Sequence, residues 1–270
     1  MDNTYQGKVA VITGGAGVLC REMAVALAKR QAEVVILDIN GEAIQSFINE
    51  LKAYHQNVLG IQTDVLNKKS LESAKDQIIS RFGKVDILIN GAGGNKAQAT
   101  TGESNSFFSL AMEDIKWVFD LNFISAVLST QVFGKVMAEN DYGIVVNISS
   151  MAAFRPLTNT IAYSTAKAAI NNFTSWMAVH FNENYSRNIR VNAIAPGFFL
   201  TNQNQYLLVN QETGKLTQRS EKIIELTPMG RFGDPGDLIS TLLWLVSDES
   251  RFVNGIVVPV DGGFSAYCGV

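Results

Sequence analysis

Seven short apolar runs, each joined to the next by a longer stretch, constrain this chain more than any other feature. The runs cover 9–13, 33–38, 58–62, 85–90, 144–149, 189–194 and 256–260. Between them, apolar spacing predicts helices to about 30 and over about 42–54, 70–82, 112–139, 162–182 and 237–247. Strands this apolar are buried on both faces, which requires a parallel sheet covered by helices. Alternating β and α elements with right-handed crossovers then give an α/β fold. The expectation is a single-domain, doubly wound, Rossmann-like parallel sheet of about seven strands, with helices on both faces. A length of 270 residues, 47% of them hydrophobic, is compatible with one such domain over 1–270.

Two irregular stretches, about 94–106 and 198–227, both follow strands. Ligands of open α/β sheets bind beyond the carboxyl ends of strands, and loops of this length are often lids. Surface decoration is the plainer alternative for the second stretch.

The formal charge is -3 and no run of Lys or Arg occurs, so neither nucleic acid nor an anionic membrane is an expected partner. No apolar stretch approaches the ~20 residues that cross a bilayer. The segment Met1 to Lys8 is polar, without a signal-peptide core, so the cytoplasm is the expected location. Cys20 and Cys268 do not make a disulfide framework. No Cys, His and carboxylate cluster has metal-ligand spacing, and no metal is expected.

The first run ends in Thr13-Gly14-Gly15-Ala16-Gly17-Val18-Leu19-Cys20 and feeds a helix. Glycines there allow a tight turn and bring backbone N–H groups to a pyrophosphate at the helix N-terminus. Ordinary βα turns use glycine too, but strand before and helix after are the context the motif needs. The second run ends at Asp38. A carboxylate there accepts hydrogen bonds from adenosine ribose hydroxyls and repels a 2′-phosphate, and no Arg or Lys follows at Ile39 or Asn40. The cofactor implied is NAD rather than NADP; the competing role for Asp38 is a helix cap. Asp64 and Val65, after Thr63 at the third strand end, reach toward an adenine edge. Asn90, Gly91, Ala92 and Gly93, at the fourth, leave room for the ribose and nicotinamide half.

Tyr163 and Lys167 are four residues apart on one predicted helix face. An ammonium near a phenol favours the phenolate, which is expected to lower the tyrosine pKa toward neutrality. Such a pair is common on helices, and its weight comes from company. Ser149 and Ser150 end the fifth run, and Asn122 lies inside a long helix, where Asn has poor propensity.

Thr13-Gly14, Asn90-Gly91-Ala92-Gly93, Asn122, Ser150, Tyr163 with Lys167, and Pro196-Gly197 together resemble the short-chain dehydrogenase/reductase family over essentially the whole chain. The resemblance implies that Ser150 polarises a carbonyl and Tyr163 donates the proton. It implies that Lys167 holds the nicotinamide ribose and acidifies the tyrosine, and that Asn122 anchors a water. It implies that Pro196, Gly197, Phe199 and Thr201 line the nicotinamide end. It also implies a homotetramer in which the two longest helices pack between subunits and the C-terminal tail approaches a neighbour's site. His180, Trp176 and Phe173 fall on one of those helices. The chain departs from the family pattern at Val18 and Cys20, which replace the last two glycines of the turn, and at Gly91, where Asn or Ala is usual.

Within the family, the stretches 89–95, 99–101, 194–201, 227–233 and 260–267 are similar to D-mannonate oxidoreductases (fructuronate reductases) of the short-chain type. That similarity implies reduction of D-fructuronate by NADH. A sugar acid needs a cation for its carboxylate and polar groups for its hydroxyls. Lys96 and Arg155 are the candidate cations, and Asn95, Asn202 and Gln203 the candidate hydroxyl binders; each also reads as a solvated loop residue. Arg231 resembles a structural loop position. A gluconate 5-dehydrogenase-like or polyol dehydrogenase is the nearest alternative. A non-catalytic dinucleotide-binding protein is the more distant one, against which stand Asn122, Ser150, Tyr163 and Lys167 together.

Overall fold

Alternation inside each strand explains why the runs are apolar throughout. Along β1 (Val9–Thr13), Val9 and Val11 enter one hydrophobic layer, and Ala10 and Ile12 enter the other. The same division holds for Val34 and Ile36 against Val35 and Leu37 in β2 (Glu33–Asp38). Because both faces are covered, neither face can be polar. A computed structural model describes residues 5–103, 105–200, 208–210 and 214–269.

Five further strands complete the sheet: β3 (Val58–Gln62), β4 (Ile87–Asn90), β5 (Gly143–Ile148), β6 (Ile189–Pro196) and β7 (Val257–Val260). All neighbours are parallel, in the order β3-β2-β1-β4-β5-β6-β7. Helices α1 (Val18–Ala28) and α2 (Gly41–Leu51) cover one face through Met23, Leu27 and Phe47. Helix α3 (Lys68–Phe82) contributes Leu71 and Ile78 to the opposite layer. There it is joined by Phe133 and Met137 of α5 (Ser125–Glu139) and by Met177 and Phe181 of α6 (Ile161–Asn184). Strand order reverses between β1 and β4, which is where such sheets leave a crevice for ligands.

Three local features differ from expectation. β4 begins at Ile87 rather than Val85, because the Asp86 carboxylate accepts a hydrogen bond from Val9 N–H and ends the regular ladder. The expected helix over 237–247 is a 3₁₀ turn, Pro235–Leu238, followed by α8 (Ile239–Leu245). The capping box of Asp234 and Asp237, with Pro235 after it, starts the coil earlier. The long helix is α4 (Met112–Phe119), a π-helical turn at Asp120–Ile124, and then α5. Met112–Glu139 is long and apolar enough to cross a membrane, contrary to the reading of the sequence, and 56% of its most apolar window is buried inside the fold. In the stretch after β6, α7 (Gln218–Glu225) is helical.

Candidate active site

A cleft of about 700 Å³ opens at the carboxyl ends of the strands. One wall is the turn between β1 and α1. Gly14 sits at φ +61°, and a Cβ there would come within 2.8 Å of the Ala92 backbone, so the two turns approach as bare main chain. The N-cap of α1 is Gly17, with no side-chain cap and no acid in the first turn. Asn40 and Asn67, by contrast, cap α2 and α3 with their side chains. The first N–H groups of α1 are thus left for an anion.

Asp38 lies at the end of β2, and its carboxylate accepts hydrogen bonds from Ala16 N–H at 3.2 Å and Asn40 N–H at 3.1 Å. These fix its position against the glycine turn. Asn40, not Asp38, caps α2, which removes the competing role for Asp38. Asp64 and Val65 line the cleft beyond it.

The altered glycine turn is matched across the cleft. Cys20 is buried on α1, and a Cβ on Gly91 would overlap the Cys20 sulfur. The side chain that replaces the turn's third glycine therefore occupies the space that the missing side chain at 91 leaves. Burial, with Asp38 nearby, pushes the Cys20 thiol up to about 12, so it is a neutral filler.

Ser150, Tyr163 and Lys167 meet on the other wall. Ser150 follows β5 and stands beside the Tyr163 phenol, close enough to favour its charged form. Lys167, one turn along α6, donates to the Ile148 carbonyl at 2.8 Å, and its ammonium lies 5.6 Å from the centre of the Tyr163 ring. The expected acidification of the tyrosine does not hold for the chain by itself. Burial raises the phenol above its ordinary value of 10.0, and the neighbouring Ser150 only partly offsets this. Tyr163 thus keeps its proton across the physiological range. Burial also lowers Lys167, from 10.5 to about 8.

The pH consequence follows from the sign. A lysine lowered to about 8 carries its charge below that pH and loses it above. Because kcat/KM reports the free enzyme, it is expected to fall as pH rises through about 8. The same limb should be missing in Lys167→Met, and a wild-type profile flat through that region would contradict the assignment.

Asn122 sits in the π-helical turn, a common device at functional sites. Its amide donates to the Gly94 carbonyl at 2.6 Å and to the Val118 carbonyl at 2.8 Å, and its carbonyl accepts from Gly94 N–H at 3.1 Å. The side chain is therefore a clamp on the loop after β4.

Most of the expected cofactor residues line this one cleft: Gly14, Gly17, Val18, Leu19, Asp38, Asp64, Val65, Gly91, Ala92, Gly93, Pro196, Gly197 and Phe199. Gly15 does not; it turns toward Ile36. Nor does Asn90, which donates to Thr130 and Asn147 in a buried polar ladder below the floor. Asn95 donates to Thr100 at 3.0 Å instead of facing the cleft. Lys96 pairs with Asp114 and stands 4.9 Å from the Trp117 ring, and Arg155 donates to the Tyr267 carbonyl; neither lines the cleft. Arg231 pairs with Asp237, as a structural loop residue would. Thr201, Asn202 and Gln203 lie outside the described residues. Sequence reasoning missed Ile39, Leu66, Trp117 and Leu121, which also line the cleft. Ile39 had a signal: an apolar residue just past a strand end, here 68% exposed. Among the described residues, no group of His, Cys, Asp and Glu could hold a metal ion.

Comparison with known proteins agrees with this arrangement. Residues 15–265 match a family model described as enoyl-(acyl carrier protein) reductase. An uncharacterized oxidoreductase of Bacillus subtilis (strain 168), named UxuB, is 52% identical over 273 residues, spanning 98% of this chain and 97% of its own length. The 2-dehydro-3-deoxy-D-gluconate 5-dehydrogenase of Escherichia coli (strain K12) is 33% identical, covering 97% of both chains. A solved structure from Haemophilus influenzae, provisionally named a D-mannonate oxidoreductase and holding bound NAD, superposes with a TM-score of 0.92 at 46% identity. It covers 98% of this chain, which covers 97% of it.

Proposed function

The chain belongs to the short-chain dehydrogenase/reductase family, and from that premise we propose that it interconverts the ketone of D-fructuronate and the alcohol of D-mannonate with NAD(H). The observation that carries the chemistry is that Ser150, Tyr163 and a buried Lys167 line the one cleft that the glycine turn walls. Support for the sugar acid comes from the provisional name of the Haemophilus influenzae structure. The gluconate-type relative favours a second reading, another sugar-acid dehydrogenase.

NAD(H), when bound, supplies or takes up the hydride. The N-terminus of α1 at Gly17, Val18 and Leu19 would hold its pyrophosphate, and Asp38 the adenosine ribose. Asp64 and Val65 would flank the adenine. Gly91 to Gly93, Pro196, Gly197 and Phe199 would border the other half, with Lys167 at its ribose.

The chain's own groups divide the remaining work. The Ser150 hydroxyl can donate to a substrate carbonyl oxygen while its neighbour Tyr163 delivers a proton to the same oxygen. The Lys167 charge then stabilises the phenolate left behind. Asn122 holds the loop at Gly94 so that this wall stays in place. In the oxidative direction the roles reverse, with the tyrosine accepting the proton.

The whole chain serves as one unit in this reading, and it assembles as a tetramer. Support comes from the groove between α5 and α6, which Phe173, Trp176, His180 and Tyr185 line, with Trp176 56% exposed.

The test is NADH oxidation by the purified protein with D-fructuronate, D-tagaturonate, 5-keto-D-gluconate and simple ketones. The expected result is the highest kcat/KM with D-fructuronate, and a clear preference for NADH over NADPH. Reduction of simple ketones alone would overturn the sugar-acid reading, and an NADPH preference would overturn the role of Asp38.

A further inference from the structure

We infer that Arg155 is the residue that binds the substrate carboxylate; this rests on the sugar-acid reading above. Three cations on loops after strands or near the tail are the candidates: Lys96 after β4, Arg155 after β5 and Arg231 ahead of α8. Lys96 is neutralised by Asp114. Arg231 is held by both carboxylate oxygens of Asp237. Arg155 has no carboxylate partner among the described residues, and its guanidinium donates only to the main-chain carbonyl of Tyr267. A guanidinium with one neutral acceptor keeps most of its fork free for a planar carboxylate.

The path of the C-terminal tail locates that fork. Gly197, on the cleft wall, donates its N–H to Val260, and a Cβ at 197 would stand 2.6 Å from Asp261. Phe264 then packs edge-on against Phe198, with ring centres 5.2 Å apart. By Tyr267 the tail has reached Arg155, on the loop that begins at catalytic Ser150. The tail therefore runs from the β6 wall to the β5 loop, and Arg155 stands where the two meet. In an aldonic or uronic acid of this kind the carboxylate is at the far end of the chain from the reacting ketone. Its cation should therefore stand away from Tyr163 rather than beside it, and Arg155 lies outside the lining that Ser150 and Tyr163 share, on the loop that Ser150 begins. The one acid on this stretch of tail, Asp261, spends its oxygens on Gly263 and Ser265 N–H groups, which blunts its repulsion of an anion.

The experiment compares KM for D-fructuronate with KM for D-fructose, which has the same skeleton with a hydroxymethyl group in place of the carboxylate. It uses the full-length wild type and the Arg155→Gln, Arg155→Lys and Lys96→Gln variants, with Tm measured for each. Arg155→Gln is expected to raise KM for fructuronate ~10- to 100-fold, the loss of a charge-assisted pair. Its KM for NADH and for fructose should stay near wild type. Arg155→Lys should recover part of the loss, and Lys96→Gln should change little. If fructuronate and fructose are affected equally, Arg155 only braces the tail, and the inference fails. If Lys96→Gln alone shows the charge-specific loss, the inference fails while the sugar-acid reading stands. If wild type reduces 5-keto-D-gluconate but not fructuronate, the proposed substrate fails, and the same comparison is read on 5-keto-D-gluconate. A wild type that reduces ketones without regard to a carboxylate overturns both.

Discussion

Tyr163→Phe is expected to lower kcat at least ~100-fold, the usual scale for losing a positioned proton donor. The ring packs beside Ala99, Val118 and Ala162, and phenylalanine keeps those contacts, so the fold and Tm should be retained. What disappears is one hydroxyl, the cleft-facing phenol that stands with Ser150 and Lys167 and keeps its proton at neutral pH. Ser150 remains able to polarise a carbonyl but has no comparable acidity to replace the phenol. NADH affinity should be nearly unchanged, because the hydroxyl is a proton donor first. Steady-state kinetics at saturating NADH, with a parallel fluorescence titration of NADH, separates the two. A kcat within a few-fold of wild type would show that the proton comes from elsewhere.

Gly91→Ala is expected to weaken NADH binding ~10-fold or more. The added methyl would overlap Cys20 Sγ and would also stand 2.9 Å from the Thr13 carbonyl. Overpacking a well-filled site costs about 1–3 kcal/mol. Here the displaced parts are the two turns that form the cleft floor, so the damage falls on cofactor affinity. The sulfur is the softer of the two obstacles. Cys20→Ala in the Gly91→Ala background should therefore recover part of the affinity, with the Thr13 contact accounting for the remainder. Cys20→Ala alone should cost only a small cavity, because the thiol is neutral. Strict additivity of the two substitutions in an NADH titration would rule out their coupling.

Much of this architecture was legible because burial on both faces leaves a plain mark: uninterrupted apolar runs such as Val34 to Leu37. The group proposed to be catalytic was legible for a different reason. Asn122, Ser150, Tyr163 and Lys167 are chemically distinctive, and each sits at a strand end or on a predicted helix. What stayed hidden depends on direction and environment. Asn90 and Gly91 are adjacent, yet the Asn90 side chain enters the buried ladder while the bare backbone of Gly91, just past the strand end, lines the cleft. Lys96 read as a free cation because its partner, Asp114, arrives from another element. The direction of the Tyr163 shift was misread because the charge of Lys167 was visible in the sequence, whereas the depth of burial was not. The extent of the Met112–Glu139 helix was legible, but its membrane-length apolar character was not, because scattered polar residues break any continuous apolar run.

Single-turnover oxidation of NADH by D-fructuronate, with wild type and Tyr163→Phe at matched NADH occupancy, reaches the central claim most directly. That claim is proton delivery by Tyr163 inside a dinucleotide cleft. The account predicts that both proteins bind NADH with similar Kd and that only the wild type oxidises it at an appreciable rate. Equal single-turnover rates, or a wild type that fails to bind NADH at all, would contradict it.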